Sequence, residues 1–186
     1  MTNLTGFSET ELDQILDAPG AVLKAATLAD GQPGGLRFLL ETAAGARVFR
    51  EAQEHENDFV RAVSVALRDR VRAKEAAAAE VRADPAAAVG VAAAAAATEE
   101  AARVGAQPDP EGAADQAVEL TAAAVTLLRG RVPDADLAAY GEWLLRIAGR
   151  VAGATRSRTG GLFSKRVKLS VDEQAYLDRL AAAVAG

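Results

Sequence analysis

Cysteine is absent from all 186 residues, which removes disulfide frameworks, thiolate zinc knuckles and thiol nucleophiles together and gives no argument for an oxidising compartment. Histidine occurs once, at His55, so a di-iron bundle, which needs Glu-x-x-His on two helices, cannot be assembled. Aromatic residues make up 4% of the chain, and no window alternates apolar and polar residues as a half-buried strand would. Long apolar runs are missing too. The longest uncharged one, Pro85 to Ala97, is mostly alanine and falls short of the roughly 20 residues a bilayer requires. The start, MTNLTGFSETEL, has neither a positive n-region nor an apolar h-region, so no secretory signal is expected and the expected location is cytoplasmic.

The motifs of several chemistries are also missing. There is no Gly-x-Ser-x-Gly elbow, and a serine hydrolase needs one to raise its nucleophile above a sheet. Ser8 and Ser170 read as helix caps and Ser64 lies mid-helix. Neither a Gly-x4-Gly-Lys-Ser/Thr phosphate loop nor a strand-associated Gly-x-Gly-x-x-Gly occurs, so nucleotide hydrolysis and dinucleotide binding have no motif to rest on. The net charge is −5, the wrong sign for a domain-wide nucleic-acid binder, whose affinity comes mainly from neutralising phosphates.

What is present is helical. Alanine, leucine, arginine and glutamate dominate, and these are strong helix formers. In FSETEL, Ser8 and Glu11 form a capping box, with Phe7 and Leu12 as a hydrophobic staple across the first turn. Pro19 is expected in the first turn of a second, short helix through Val22, Leu23 and Leu28, stopped by DGQPGG. From Gly35 to about Glu56, Leu36, Leu40 and Ala43 oppose Phe38 and Phe49, the two-sided pattern of a buried helix. From about Asn57 to Arg82 a single stripe, Phe59, Val63, Ala66 and Leu67, faces away from Arg61, Arg68 and Arg72, which predicts an outer helix.

Asp84 and Pro85 start an alanine-rich segment running to about Val104, locally helical yet with little side chain to bury. GAQPDPEG, residues 105–112, reads as a linker. A helix over about 113–129 follows, ended by Gly130, and then a seam of Leu137, Tyr140, Leu144, Ile147 and Val151 at spacings of three and four, with Trp143 on its flank. The last helix opens with a second capping box, Ser170 with Glu173, and carries Tyr176, Leu177, Leu180 and Val184. The expected fold is an all-α, compact helical bundle of seven or eight helices without a sheet. The helices at about 36–56, 113–129 and 134–154 are expected inside and the rest around them. A single domain over 1–186 is expected, or a subdivision into 1–104 and 113–186 joined by 105–112.

Two constellations could carry chemistry. Glu51, His55 and Asp58 would share one face if they lay on one helix, a spacing able to supply three metal ligands; a solvated acidic helix end is the plainer reading. Charge is unevenly placed: Thr98 to Leu120 holds six acids against Arg103, whereas Trp143 to Val171 holds seven bases and no acid. Within the second stretch Arg150, Arg156, Arg158, Lys165, Arg166 and Lys168, with Phe163 and the pair Gly160 and Gly161, form a candidate patch for an anion or an acidic partner. Alternatively the glycines let the chain turn and the bases sit in water or pair with the acidic half.

The segment YGEWLLRIAGRVAGATRSRTGGLFSKRVKLSVDEQAYLDRLAAAV resembles the carboxy-terminal part of a group of uncharacterised all-helical bacterial proteins. In that group a Tyr-x-x-Trp-Leu-Leu helix precedes a glycine- and phenylalanine-rich turn and a Val-Ser-x-x-Glu helix start. Ala18 to Ala43 is similar to the group's amino-terminal segment, and both are loosely similar to tellurite-resistance B-like helical domains. The group's turn continues in glycines where this chain has Ser164, Lys165 and Arg166, and the acidic metal positions of the tellurite-resistance domains do not map residue by residue. The resemblance implies a fold and no catalytic residues or cofactor. The expected function is therefore non-catalytic: protein–protein interaction or self-association through the alanine-rich helix or the basic turn. A small-ligand, anion or metal-binding role is the alternative.

Overall fold

The computed structural model describes residues 4–29, 47–83, 109–154 and 170–186. Among them every regular element is helical and there is no strand. A 3-10 turn, Leu4–Gly6, leads into α1 (Glu9–Leu28); α2 is Asp58–Ala83, α3 Pro110–Leu128, α4 Asp134–Ala154 and α5 Val171–Ala185. A further helical stretch spans 47–52. The helices pack as a bundle: α1 lies along α3 and α4, α5 closes against α3 and α4, and α2 leans on α4 and α1 from outside. The expected count of seven or eight includes the alanine-rich segment and most of the helix from Gly35, which lie outside the described residues.

The helix starts are local chemistry. Ser8 Oγ accepts from the Glu11 N–H at 3.3 Å while the Ser8 N–H donates to Glu11 Oε2 at 2.8 Å. Ser170 and Glu173 repeat the arrangement at 3.0 and 2.9 Å. Each box satisfies two backbone donors that a helix start otherwise leaves open. Gly130 ends the turn after α3 with φ +73°, a conformation that costs a residue with a Cβ.

Two boundaries differ from expectation. Pro19 does not open a second helix; it lies inside a continuous α1. The proline withholds the N–H that would reach the Ile15 carbonyl, and the Tyr140 hydroxyl donates to that carbonyl instead, at 2.8 Å and fully buried. Residues 110–112, read as linker, are the first turn of α3: Asp109 is the N-cap, its side chain accepting from the Gly112 N–H at 2.9 Å, and Pro110 stands at the first helical position. Asp-Pro is a start signal as readily as a turn signal, because proline has no N–H to lose there.

The helices over 113–129 and 134–154 contribute to the core as expected, and α1 joins them. α1, expected among the wrapping helices, lies inside with α3 and α4: Ile15, Ala18, Val22 and Ala25 are fully buried. Its Ala18 and Ala25 belong to the same buried cluster as Ala114, Ala117 and Ala124 of the adjacent α3, and small side chains let helix axes approach closely. Trp143, expected on a flank, is buried with the Tyr140, Leu144, Ile147 and Val151 seam. α2 follows its stripe: Phe59 and Val63 are buried and Ala66 and Leu67 pack half-buried against the core, with Val60 buried beside them, while Arg61 and Arg68 are half-exposed and Arg72 is exposed. The core draws on residues from both sides of the 105–112 segment.

Candidate functional site

Glu51, His55 and Asp58 do not share a helix. The helical stretch ends at residue 52 and α2 begins at Asp58, so His55 sits in the connection. There its Nδ1 accepts from the Asn57 N–H at 3.1 Å. Asn57 then caps α2, its Oδ1 accepting from the Val60 N–H at 3.1 Å, and its amide donates to Asp136 of α4 at 2.8 Å. Asp58 pairs with Arg61, whose guanidinium also reaches the His55 carbonyl. Glu51 faces elsewhere, toward Arg47 at 2.8 Å and Arg150 at 3.7 Å. Among the described residues no group of three or more acids and histidines is placed to hold one metal ion.

Of the basic candidates, Arg150 lies within the described residues; Arg156, Arg158, Phe163, Lys165, Arg166 and Lys168 lie outside them. Arg150 joins the two candidate sets, since its partner is Glu51. Arg146 is one turn earlier on α4, exposed, and its charge acts on the same carboxylate. The Arg47 hydrogen bond, with the added charges of Arg150, Arg47 and Arg146, holds the Glu51 carboxyl below the usual carboxylate range, although partial desolvation opposes it. The result is three guanidiniums from two elements around one exposed carboxylate. Sequence reading placed Arg146 in the basic excess but missed Arg47, although its four-residue spacing to Glu51 is the ordinary signal for a helical ion pair.

Beneath this cluster lies an aromatic run. Phe49, on the same helical stretch as Arg47 and Glu51, meets Trp143 edge-on with ring centroids 5.7 Å apart; Trp143 meets Tyr140 at 6.2 Å and Tyr140 meets Phe59 at 6.0 Å. Such edge contacts add stability beyond the area they bury. The run ties the 47–52 stretch and α2 to α4, and so fixes Arg47 and Glu51 against Arg146 and Arg150. Both tyrosines then anchor α1, Tyr140 through Ile15 and Tyr176 through the Val22 carbonyl at 3.2 Å. Burial pushes both phenols well above their ordinary range, so they stay neutral donors. The Trp143 indole N–H and the Thr121 hydroxyl are buried without a hydrogen-bond partner among the described residues.

A half-open cleft of about 430 Å³ lies where α1 ends and α3 and α5 begin, lined among others by Asp109, Glu111, Asp172, Tyr176 and Arg179. Its acids are those that helix starts favour for their dipoles: Asp109 caps α3, while Glu111 and Asp172 lie in first turns. Arg179 is paired with Asp115, and the Tyr176 hydroxyl is turned to α1. The cleft therefore presents helix ends rather than a convergent reactive set. No helix among the described residues is long and apolar enough to cross a membrane. No protein-family model matches the chain, and comparison with curated proteins and with solved structures finds no match.

Proposed function

We propose that this is a non-catalytic, cytoplasmic helical protein that works by contact, associating with its own copies. The observation that carries this reading is the second half of α2. Its first two turns are held by Phe59, Val60 and Val63, but every residue from Val71 to Ala76 is exposed, Val71 at 52%. That stretch, VRAKEA, sets small apolar residues beside Lys74 and Glu75, so one copy offers another both a close-packing face and charges of each sign. The resemblance to all-helical bacterial proteins and to tellurite-resistance B-like domains implies a helical fold without catalytic residues, and we take the full chain as one domain of seven or eight helices. Size-exclusion chromatography with light scattering tests the proposal. A dimer at high concentration that Val71→Glu returns to a monomer is expected; a monomer throughout overturns self-association.

A second reading, a ligand-binding protein, is favoured by the arginines gathered at Glu51. Its metal version, through Glu51, His55 and Asp58, requires the 53–57 connection to rearrange, and metal analysis of the purified protein decides it. Stoichiometric metal lost in Glu51→Gln would support that version, and its absence would end it.

A further inference from the structure

The Glu51 carboxylate is bound the way a ligand would be. Arg47 reaches it at 2.8 Å from one turn earlier in the same helical stretch, and Arg150 approaches at 3.7 Å from α4, with Arg146 one turn before it. Three guanidiniums against one carboxylate leave two positive charges uncompensated within the cluster. Arg50, next to Glu51 in sequence, is exposed and forms no ion pair among the described residues. Glu51 is itself weakly held: its side chain is 40% exposed and that of Arg150 is 53% exposed, and ion pairs that open to solvent contribute little.

We infer that Arg47, Arg146 and Arg150 form a seat for a phosphoryl group of a small soluble ligand, and that Glu51 occupies the seat when no ligand is present. The charge of the ligand follows from competition. A ligand carrying a single carboxylate offers nothing that Glu51 does not already supply, and it bears the cost of association that a tethered side chain avoids. A phosphoryl dianion offers two charges and three acceptor oxygens. It can engage forks from two directions at once, the geometry for which arginine is suited. The seat is rigid on one side, because α4 is fixed by the aromatic run through Trp143 and Tyr140.

The arrangement makes an unusual demand: removing an acidic residue at the site must strengthen binding. Trp143, the single tryptophan, sits three residues before Arg146 and against Phe49, and gives a fluorescence readout beside calorimetry. Full-length protein is titrated with pyrophosphate, with citrate, and with sodium chloride at matched ionic strength. Pyrophosphate is expected to bind, and Glu51→Gln to tighten it by about two- to fivefold, the gain from removing one exposed competitor. Arg146→Ala with Arg150→Ala is expected to weaken it by about tenfold or more, while Arg72→Ala, an exposed arginine on α2, leaves it unchanged. All four side chains are exposed, and circular dichroism verifies that each variant folds. Unchanged or weaker binding in Glu51→Gln overturns the role of Glu51. Equal loss in Arg72→Ala, or no pyrophosphate binding beyond the salt control, overturns the seat, and equally tight citrate binding overturns the phosphoryl assignment.

Discussion

The Tyr140 hydroxyl completes a hydrogen bond that Pro19 breaks. Tyr140 Oη lies 2.8 Å from the Ile15 carbonyl, the acceptor four residues before the proline, so α4 supplies to α1 the donor that α1 lacks. Tyr140→Phe keeps the ring and its packing but strands a buried carbonyl. A loss of about 1–3 kcal/mol is expected on that ground, read as a lower urea midpoint at unchanged slope. Pro19→Ala restores an N–H to the same carbonyl. In the Tyr140→Phe background it should therefore recover part of the loss, more than it gains in the parent protein, and a double-mutant cycle measures the coupling. Strict additivity would show that the two groups do not share the carbonyl.

Gly141 lets α4 pack tightly against Val184 of α5. A Cβ built at this position overlaps the Val184 Cγ1, and a β-branched side chain in a helix has little rotamer freedom with which to yield. Gly141→Ala should cost about 1–3 kcal/mol through overpacking, although alanine is the better helix former. Val184→Ala in the same chain removes the obstructing methyl groups and should return most of that loss. Thermal denaturation of the single and double variants separates this contact from an effect on α4 alone.

The sequence made the helix starts legible because a cap is local: Ser8 with Glu11, and Ser170 with Glu173, act within one turn. The stripe of Phe59 and Val63 and the seam from Tyr140 to Val151 were legible because periodicity reports which face is buried. The continuity of α1 was not, since it depends on a hydroxyl supplied from residue 140 to a carbonyl at residue 15. Nor was the deep burial of α1, where Ala18, Ala25 and Ala26 share the core face with Ile15, Leu16 and Val22 and so leave a fainter hydrophobic pattern. Asp109-Pro110 misled because the same dipeptide opens helices and turns. The pairing of Glu51 with Arg150 joins elements far apart in sequence, and no spacing rule connects them; only the Arg47 to Glu51 half of the cluster obeys one.

Acid should loosen the join between the amino-terminal turn and the α3–α4 connection. Glu11 accepts from Arg131, whose guanidinium also stacks over Phe7 at 4.6 Å and donates to the Gly6 carbonyl at 3.2 Å. The Arg131 hydrogen bond, then the Ser8 backbone bond, hold the Glu11 carboxyl down to about 2 from its ordinary 4.5. Between those values the unfolded chain binds a proton that the folded one does not, so the stabilisation is complete above 4.5 and is lost as pH falls toward 2. Glu11→Gln keeps an oxygen for the capping box but abolishes this titration. Its melting temperature should lie below that of the parent at pH 6 and converge on it near pH 2; a constant gap across that window would contradict the assignment.

Thr121 is fully buried on α3 and its hydroxyl has no hydrogen-bond partner among the described residues. Burying a hydroxyl without a hydrogen bond forfeits its hydration and returns nothing. Valine has nearly the same shape and the same stiffness at χ1, so Thr121→Val removes the stranded oxygen while retaining the volume between α3 and its neighbours. A gain of about 1–3 kcal/mol is expected from the unsatisfied-group cost, seen as a higher urea midpoint. Ser64, equally buried on α2, is the contrasting case, because its hydroxyl donates to the Arg61 carbonyl at 2.9 Å. Ser64→Ala loses a made bond and should lower the midpoint. The opposite signs of the two substitutions separate an unpaired hydroxyl from a paired one at similar burial, and a loss in Thr121→Val would mean that its oxygen finds a partner in solution.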